Sequence, residues 1–317
     1  MKVITCFSYK GGAGRTTAAA NIAAALASVR DNVGSIKSSL RRKVALIDLD
    51  VFSAGTHRVF EISNDQINRL KPCVQDYLRE QMGPSDYIDQ GGVKLGNQYM
   101  EQFRMMRGGA NNCDDEFTLF PAKPDPEGGF VVQKQHENVL IELLMELESK
   151  NHAFDYVILD GESGTRQMAD IALRLADIVL MFFRLTWQHI DGTLNTASNF
   201  EKKAKPFYLI PTCVPLVHGA ENVYRDEAPG LNELVKLTER IPEDSELNAF
   251  ARQHQKSAGR FWADLNGDGG RLCIHESLCL KGEERIVVFD AGAREDRAAK
   301  DFYRMAAEIN MLHPPSE

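Results

Sequence analysis

Residues 9–18 read Tyr9-Lys10-Gly11-Gly12-Ala13-Gly14-Arg15-Thr16-Thr17-Ala18, directly after the apolar run Val3-Ile4-Thr5-Cys6-Phe7 and directly before an Ala-rich stretch. That order predicts a strand, a tight glycine loop and a helix beginning near Thr16. Glycine adopts backbone conformations closed to other residues, so several N–H groups can converge on one anion. The first turn of the helix adds unpaired N–H groups and the positive end of its dipole. The combination predicts a phosphate cradle. The usual phosphate loop is G-x-x-x-x-G-K-[ST], whose Lys reaches the terminal phosphates and whose hydroxyl binds Mg2+. Here Tyr9 replaces the first Gly and Arg15 replaces the Lys.

The rest of the chain predicts what surrounds that loop. Apolar runs bounded by polar or turn residues occur at 3–7, 44–49, 117–120, 156–159, 178–183, 207–210 and 286–289. Continuous apolar strands belong in a sheet covered on both faces. Amphipathic stretches lie between them, among them 131–147 with Val139, Leu140, Leu143, Leu144 and Leu147 on one side. The alternation predicts an α/β fold with a doubly wound, mostly parallel sheet and helices on both faces. At 317 residues and 43% apolar composition, one domain over 1–317 is expected. Residues 61–130, punctuated by glycine and proline, form an irregular, insertion-like segment of loops and short helices.

In such sheets ligands bind at the C-terminal ends of strands. Asp48 and Asp50 close the run 44–50, and Asp160 closes the run 155–160. These are positions where a Mg-nucleotide site needs acidic residues.

Lys10-Gly11-Gly12-x-Gly14-Arg15-Thr16-Thr17 resembles the deviant Walker A loop of the ParA/MinD family of P-loop ATPases, in a branch with K-G-G-x-G-R. Asp48-Leu49-Asp50 resembles its switch I, and Asp160-Gly161-Glu162-Ser163-Gly164 occupies the place of its Walker B aspartate and switch II. The resemblance implies ATP and Mg2+ as cofactors. It implies that Gly11, Gly12, Ala13, Gly14, Arg15, Thr16 and Thr17 bind the phosphates, with Thr17 at the α-phosphate. Thr16 would bind Mg2+ directly, while Asp48 and Asp160 would hold the waters around it. Asp50 would position the attacking water. Lys10 would cross to the nucleotide of a second subunit, giving an ATP-dependent sandwich homodimer. Lys10, Arg15 and Asp50 are thus the candidate catalytic residues. Pro211 and Thr212, on a loop after the 207–210 strand, and Pro242, in the turn Ile241-Pro242, would approach the adenine.

The function implied is a molecular switch that binds ATP, hydrolyses it slowly, and controls an unidentified partner protein or DNA positioning. Guanidinium is a planar fork where ammonium is a point charge, so Arg15 is expected to keep phosphate affinity better than transition-state geometry. A nucleotide-dependent sensor or scaffold of a signalling or defence system, with little hydrolysis, is the alternative. Switch I continues Val51-Phe52-Ser53-Ala54-Gly55-Thr56-His57-Arg58-Val59-Phe60 rather than Asp-Pro-Gln, which separates the chain from plasmid-partition members. His57 and Arg58 are either switch contacts or an ordinary surface pair.

Composition narrows the setting. No apolar run of about 18 residues occurs, so a soluble, cytoplasmic protein without membrane contact is expected. Six cysteines show no C-x-x-C pair, which argues for reduced thiols. The net charge of −8 leaves nonspecific DNA binding to local basic patches: Arg30, Lys37, Arg41, Arg42 and Lys43, or Lys202, Lys203 and Lys205. Either group also reads as solvated surface. Asp264 to Gly269 opens like a calcium loop, but His275 stands at its twelfth position, so a polar turn is expected. Phe302, Met305, Ala306, Ile309 and Leu312 have the spacing of a helix docked on the core.

Overall fold

The computed structural model describes residues 1–28, 42–69, 72–79, 82–95, 117–124, 129–164, 166–184, 188–189, 192–193, 195–197, 205–214, 274–275, 277 and 297–315. The expected strand at 286–289, the calcium-like turn at 264–269 and Pro242 lie outside them.

Among the described residues the strands are β1 (Lys2–Phe7), β2 (Val44–Asp48), β3 (Val93–Lys94), β4 (Phe117–Phe120), β5 (Tyr156–Asp160), β6 (Ile178–Arg184), β7 (Phe207–Val214) and β8 (Ile274–His275). They form one sheet in the order β3-β4-β2-β5-β1-β6-β7-β8. Every neighbouring pair is parallel except the edge pair β3–β4. The helices are α1 (Arg15–Ser28), α2 (Thr56–Val59), α3 (Asn64–Arg69), α4 (Val74–Leu78), α5 (Pro84–Gly91), α6 (Gln135–Glu148), α7 (Gln167–Leu175) and α8 (Arg297–Leu312).

Successive strand residues bury into opposite cores. Ile4, Val44, Leu46 and Ile158 join a cluster with α1 and α8. Val3, Ala45, Ile47 and Val157 join a second cluster with α4 to α7. Both faces are therefore covered, as the unbroken apolar runs predicted. Helix α1 is Ala-rich for a steric reason: Ala20, Ala23, Ala24 and Ala25 are all buried, in the cluster that α1 shares with the sheet and α8. A methyl side chain lets the backbones approach, and a larger one there has no room.

Three boundaries differ from the sequence reading. Helix α6 begins at Gln135 rather than at 131, and Val131 is exposed. β7 runs four residues further than the apolar run, to Val214. Phe302, Met305, Ala306 and Ile309 are buried as expected, but Leu312 is exposed in the last turn of α8. That end is held instead by polar contacts: the Tyr156 hydroxyl lies 3.1 Å from both Asn310 Oδ1 and the His313 carbonyl, which share its one proton. Within 61–130 the short helices α3 to α5 are present, and Tyr77 of α4 stacks on Tyr87 of α5 with centroids 4.6 Å apart.

Of the eight residues in the candidate basic patches, Arg42, Lys43 and Lys205 serve the fold, and Arg30, Lys37, Arg41, Lys202 and Lys203 lie outside the described residues. Arg42 Nε donates to Asn310 Oδ1 at 2.9 Å, and Lys43 sits 4.7 Å above the Phe154 ring. Lys205 donates to the carbonyls of Arg174 and Ala176 at the end of α7, where a cation answers the helix dipole. Cys6 and Cys73 are buried free thiols, and Cys213 is an exposed one.

Overpacking α1 is the sharpest test of this architecture. Ala23→Leu is expected to lower unfolding free energy by roughly 1–3 kcal/mol, measured by chemical denaturation. An unchanged midpoint would show that α1 is not clamped between the sheet and α8.

Candidate functional site

β1 lies between β5 and β6, and its C-terminal end releases the glycine loop at the centre of the sheet. Gly12 and Gly14 have φ of 78° and 74°, a region that disfavours any residue with a Cβ. The Ala18 N–H donates to the Gly14 carbonyl at 2.9 Å, which starts α1. The N–H groups of the preceding turn therefore lack helical partners and are available to an anion. Thr212 holds the loop from beneath: its hydroxyl is 2.8 Å from the Ala13 carbonyl and 3.3 Å from that of Phe183.

The two irregular residues at the loop's start both lean on the chain after β6. A Cβ placed on Gly192 would lie 1.9 Å from Tyr9 Cδ1, so the Tyr9 ring rests directly on that glycine. Lys10 Nζ donates to Gln188 Oε1 at 2.7 Å and is exposed. Tyr9 thus replaces the expected glycine because a ring packs there.

Asp48 and Asp160 face each other across β2 and β5 as register partners. Both are fully buried. Two adjacent buried carboxylates repel, and the structure answers this with donors. Arg15 Nε donates to Asp160 Oδ1 at 2.8 Å, and Arg15 Nη2 to Asp50 Oδ2 at 3.0 Å. The Thr56 hydroxyl donates to Asp160 Oδ2 at 3.1 Å, and the Thr56 N–H to Asp48 Oδ2 at 3.2 Å. The Asp50 N–H donates to Asp48 Oδ1 at 3.1 Å, and the Ser53 N–H to Asp50 Oδ1 at 3.0 Å.

The charges follow from these contacts. Burial, reinforced by the negative charges of Asp160 and Asp50, pushes the Asp48 carboxyl up to about 8 despite the Thr56 bonds. Burial works against the Arg15 charge, but Asp160 and Asp50 outweigh it and hold the guanidinium above its ordinary value. Glu162 is buried, with Oε2 lacking a hydrogen-bond partner among the described residues and Oε1 on Arg166. Burial raises its pKa, opposed by Arg166. Arg166 also lies 5.8 Å from the centroid of Phe52, joining the 160–166 segment to the 50–56 segment.

Sequence reasoning placed Gly11, Gly12, Ala13, Gly14, Arg15, Thr16, Thr17, Asp48, Asp50 and Asp160 around one crevice, and the structure brings Arg15 and the three acids into direct contact. Pro211 and Thr212 lie inside β7, paired with Phe183 and Arg184, rather than on a loop after it. His57 is fully buried, with Nε2 2.8 Å from Asn64 Oδ1, so it is neither a surface residue nor directed at the acids; Arg58 is exposed. The sequence reading missed Thr56 and Gln75. Thr56 bridges both strand-end acids, and its position at the first turn of α2, eight residues after Asp48, was the available signal. Gln75 Nε2 donates to the Val51 carbonyl at 3.1 Å, so α4 braces the segment after Asp50. A glutamine in a short helix gives no such signal.

Asp48, Asp160 and the Thr16 hydroxyl offer hard oxygen donors of the kind Mg2+ takes. Among the described residues, no group of three or more His, Cys, Asp or Glu side chains is arranged as a metal cage. The donor chemistry fits the cation, while in this conformation Arg15 supplies the positive charge.

This combination of parallel sheet, glycine loop after the central strand, and acids at the adjoining strand ends is the P-loop fold of the ParA/MinD type. The family described as AAA domain matches residues 1–208, and the chain belongs to it. No curated protein matches the chain. Among solved structures, it is similar to the septum site-determining protein MinD of Pyrococcus horikoshii complexed with Mg-ADP, at 16% identity over 99% of this chain and 97% of that one, with a TM-score of 0.57. A MinC:MinD cell division complex from Aquifex aeolicus matches at 17% identity, 100% and 98% coverage and a TM-score of 0.59. A plasmid partition protein of Borrelia burgdorferi bound to AMPPNP matches at 17% identity, 98% and 98% coverage and a TM-score of 0.55.

The raised Asp48 pKa makes stability depend on pH. The folded chain keeps a proton that the unfolded chain releases above its ordinary carboxylate value. The stability this contributes is complete below that value and is lost as pH rises towards about 8. Denaturation in EDTA from pH 5 to 8 is expected to show stability falling by up to roughly 1.4 kcal/mol per pH unit. Asp48→Asn, which cannot titrate, should remove that slope; an equal slope in both would assign it elsewhere.

Proposed function

We propose that this protein is an ATP-dependent switch: it binds ATP, hydrolyses it slowly, and pairs with a second copy when loaded, so as to control a partner protein or the position of DNA. The observation that carries the reading is the convergence of the left-handed Gly12 and Gly14, the free first turn of α1 and three strand-end carboxylates on one crevice. Family membership supports it, as do the Mg-ADP and AMPPNP in the similar structures. No helix among the described residues is long and apolar enough to cross a membrane, and a cytoplasmic setting is part of the proposal.

In this reading the chain acts as one domain over 1–317. The N–H groups of residues 11–16 bind phosphate oxygens, and Thr17 lies at the α-phosphate. Thr16 would bind Mg2+ directly and Asp48 and Asp160 would hold the waters around it; the cation would supply charge to offset that building on the phosphoryl oxygens. Asp50 orients the attacking water once it is released from Arg15. Pro211 would belong to the adenine side, while Thr212 supports the loop through the Ala13 carbonyl. Among the described residues Lys10 is exposed and makes a side-chain contact to Gln188, which it could exchange for a second copy's nucleotide. Turnover is expected below about 1 per second, the lower edge of ordinary enzyme rates, because Arg15 and Asp50 are committed to each other at the start.

The same ion pair favours a second reading, a sensor that binds nucleotide with hardly any hydrolysis. Light scattering in ATP, ADP and no nucleotide tests the first. A doubled mass in ATP alone, lost in Lys10→Ala, with slow phosphate release lost in Asp50→Ala, is the expected result. ATP-dependent pairing without phosphate release would favour the sensor. A mass indifferent to nucleotide and to Lys10→Ala would overturn the switch.

A further inference from the structure

The acids at the ends of β2 and β5 carry an unusual ledger of contacts. All six carboxylate oxygens of Asp48, Asp50 and Asp160 accept a donor from the chain itself. Only one of those donors carries a charge. Arg15 is buried, and its side chain spans two of the three acids through separate nitrogens. A planar guanidinium can do this because its N–H groups diverge in one plane and because it is weakly hydrated. A lysine ammonium at the same position is a point charge with a strong hydration shell, and it has no fork to span two carboxylates.

We propose that Arg15 is the resident cation of this carboxylate cluster in the nucleotide-free protein, and that it keeps divalent metal out until phosphate draws the guanidinium away. The proposal rests on the reading of this crevice as a nucleotide site, but its first prediction concerns the protein without nucleotide. With Arg15 in place, a divalent ion gains little charge neutralisation at Asp160 and must displace a buried ion pair, which leaves the guanidinium without a partner. A nucleotide phosphate offers Arg15 a better anion at the glycine loop, one residue away. Transfer of the guanidinium from the acids to the phosphate then exposes Asp160 and frees Asp50 in one movement. Metal entry is thereby conditional on nucleotide. Because Asp50 also receives the Ser53 N–H, and Asp48 and Asp160 share Thr56 at the start of α2, the same movement loosens residues 50–56. The position of Arg15 is thus reported to the segment that follows β2.

Binding of Mn2+ to the nucleotide-free protein, followed by loss of the free-ion electron paramagnetic resonance signal, tests this directly. The wild type is expected to bind weakly and Arg15→Gln to bind at least about tenfold tighter, the scale of one charged hydrogen bond removed. Mg2+ alone should raise the melting temperature of Arg15→Gln and leave that of the wild type unchanged. Equal Mn2+ affinity in the two proteins would overturn the proposal. Should Arg15→Gln fail to fold, the wild type still decides: the Arg15 Nε–H resonance, held by Asp160, should persist in excess Mg2+ and move on addition of nucleotide. Its loss in Mg2+ alone would also overturn the proposal. Absence of any response to ATP, with the Mn2+ contrast intact, would instead contradict the nucleotide reading and leave Arg15 as a cation lock.

Discussion

The structure turns on how a protein buries three neighbouring carboxylates. β2 and β5 are adjacent and in register, so Asp48 and Asp160 meet at the same level of the sheet, and Asp50 follows immediately. Unanswered, such charges leave the folded chain or protonate. Three devices limit the repulsion here. Arg15 neutralises Asp160 and Asp50, backbone N–H groups of the β2–α2 turn bind Asp48, and Thr56 ties Asp48 to Asp160. The raised pKa of Asp48 is the part of the repulsion that remains. The turn after β2, the start of α2 and the rotamer of Arg15 are all shaped by this requirement.

The glycine loop depends on the same geometry. β1 can be central only if strands pair on both sides, and β5 and β6 do so. Its C-terminal end then opens between the acids of β5 and the segment after β6. The first side carries Asp160, and Arg15 reaches it from the first turn of α1. The second carries Gly192 and Gln188, which receive Tyr9 and Lys10. Each departure of the loop from the usual phosphate pattern thus has a contact of its own: Tyr9 packs where a glycine would leave a gap, and Arg15 spans a distance that suits its fork.

Much of the fold was legible because periodicity is a direct record of burial. Runs such as 44–47 and 156–159 are apolar at every position, and each is buried on both faces. The glycine loop and the strand-end acids were legible because few other purposes put those residues there. The contacts between them were not. That Arg15 points at Asp160 rather than into the loop depends on a side-chain torsion, which spacing does not encode. Thr212 was read as a loop residue because its strand outruns the apolar pattern: Pro211, Thr212 and Cys213 break the apolar run, yet β7 continues to Val214 beside β6. Thr56 and Gln75 were missed for a related reason, since polar residues that satisfy buried partners look like surface residues in a sequence.

A nucleotide site whose charge is balanced internally until nucleotide arrives must take up ATP when it is offered. Titration calorimetry of the protein with ATP in Mg2+ tests this most directly. The account predicts saturable binding of one ATP per chain in Mg2+, lost when Gly12 is replaced by valine, which cannot adopt its left-handed backbone without strain. Absence of binding heat in the wild type across a range of temperatures, where a change of enthalpy with temperature excludes an accidental zero, would contradict it.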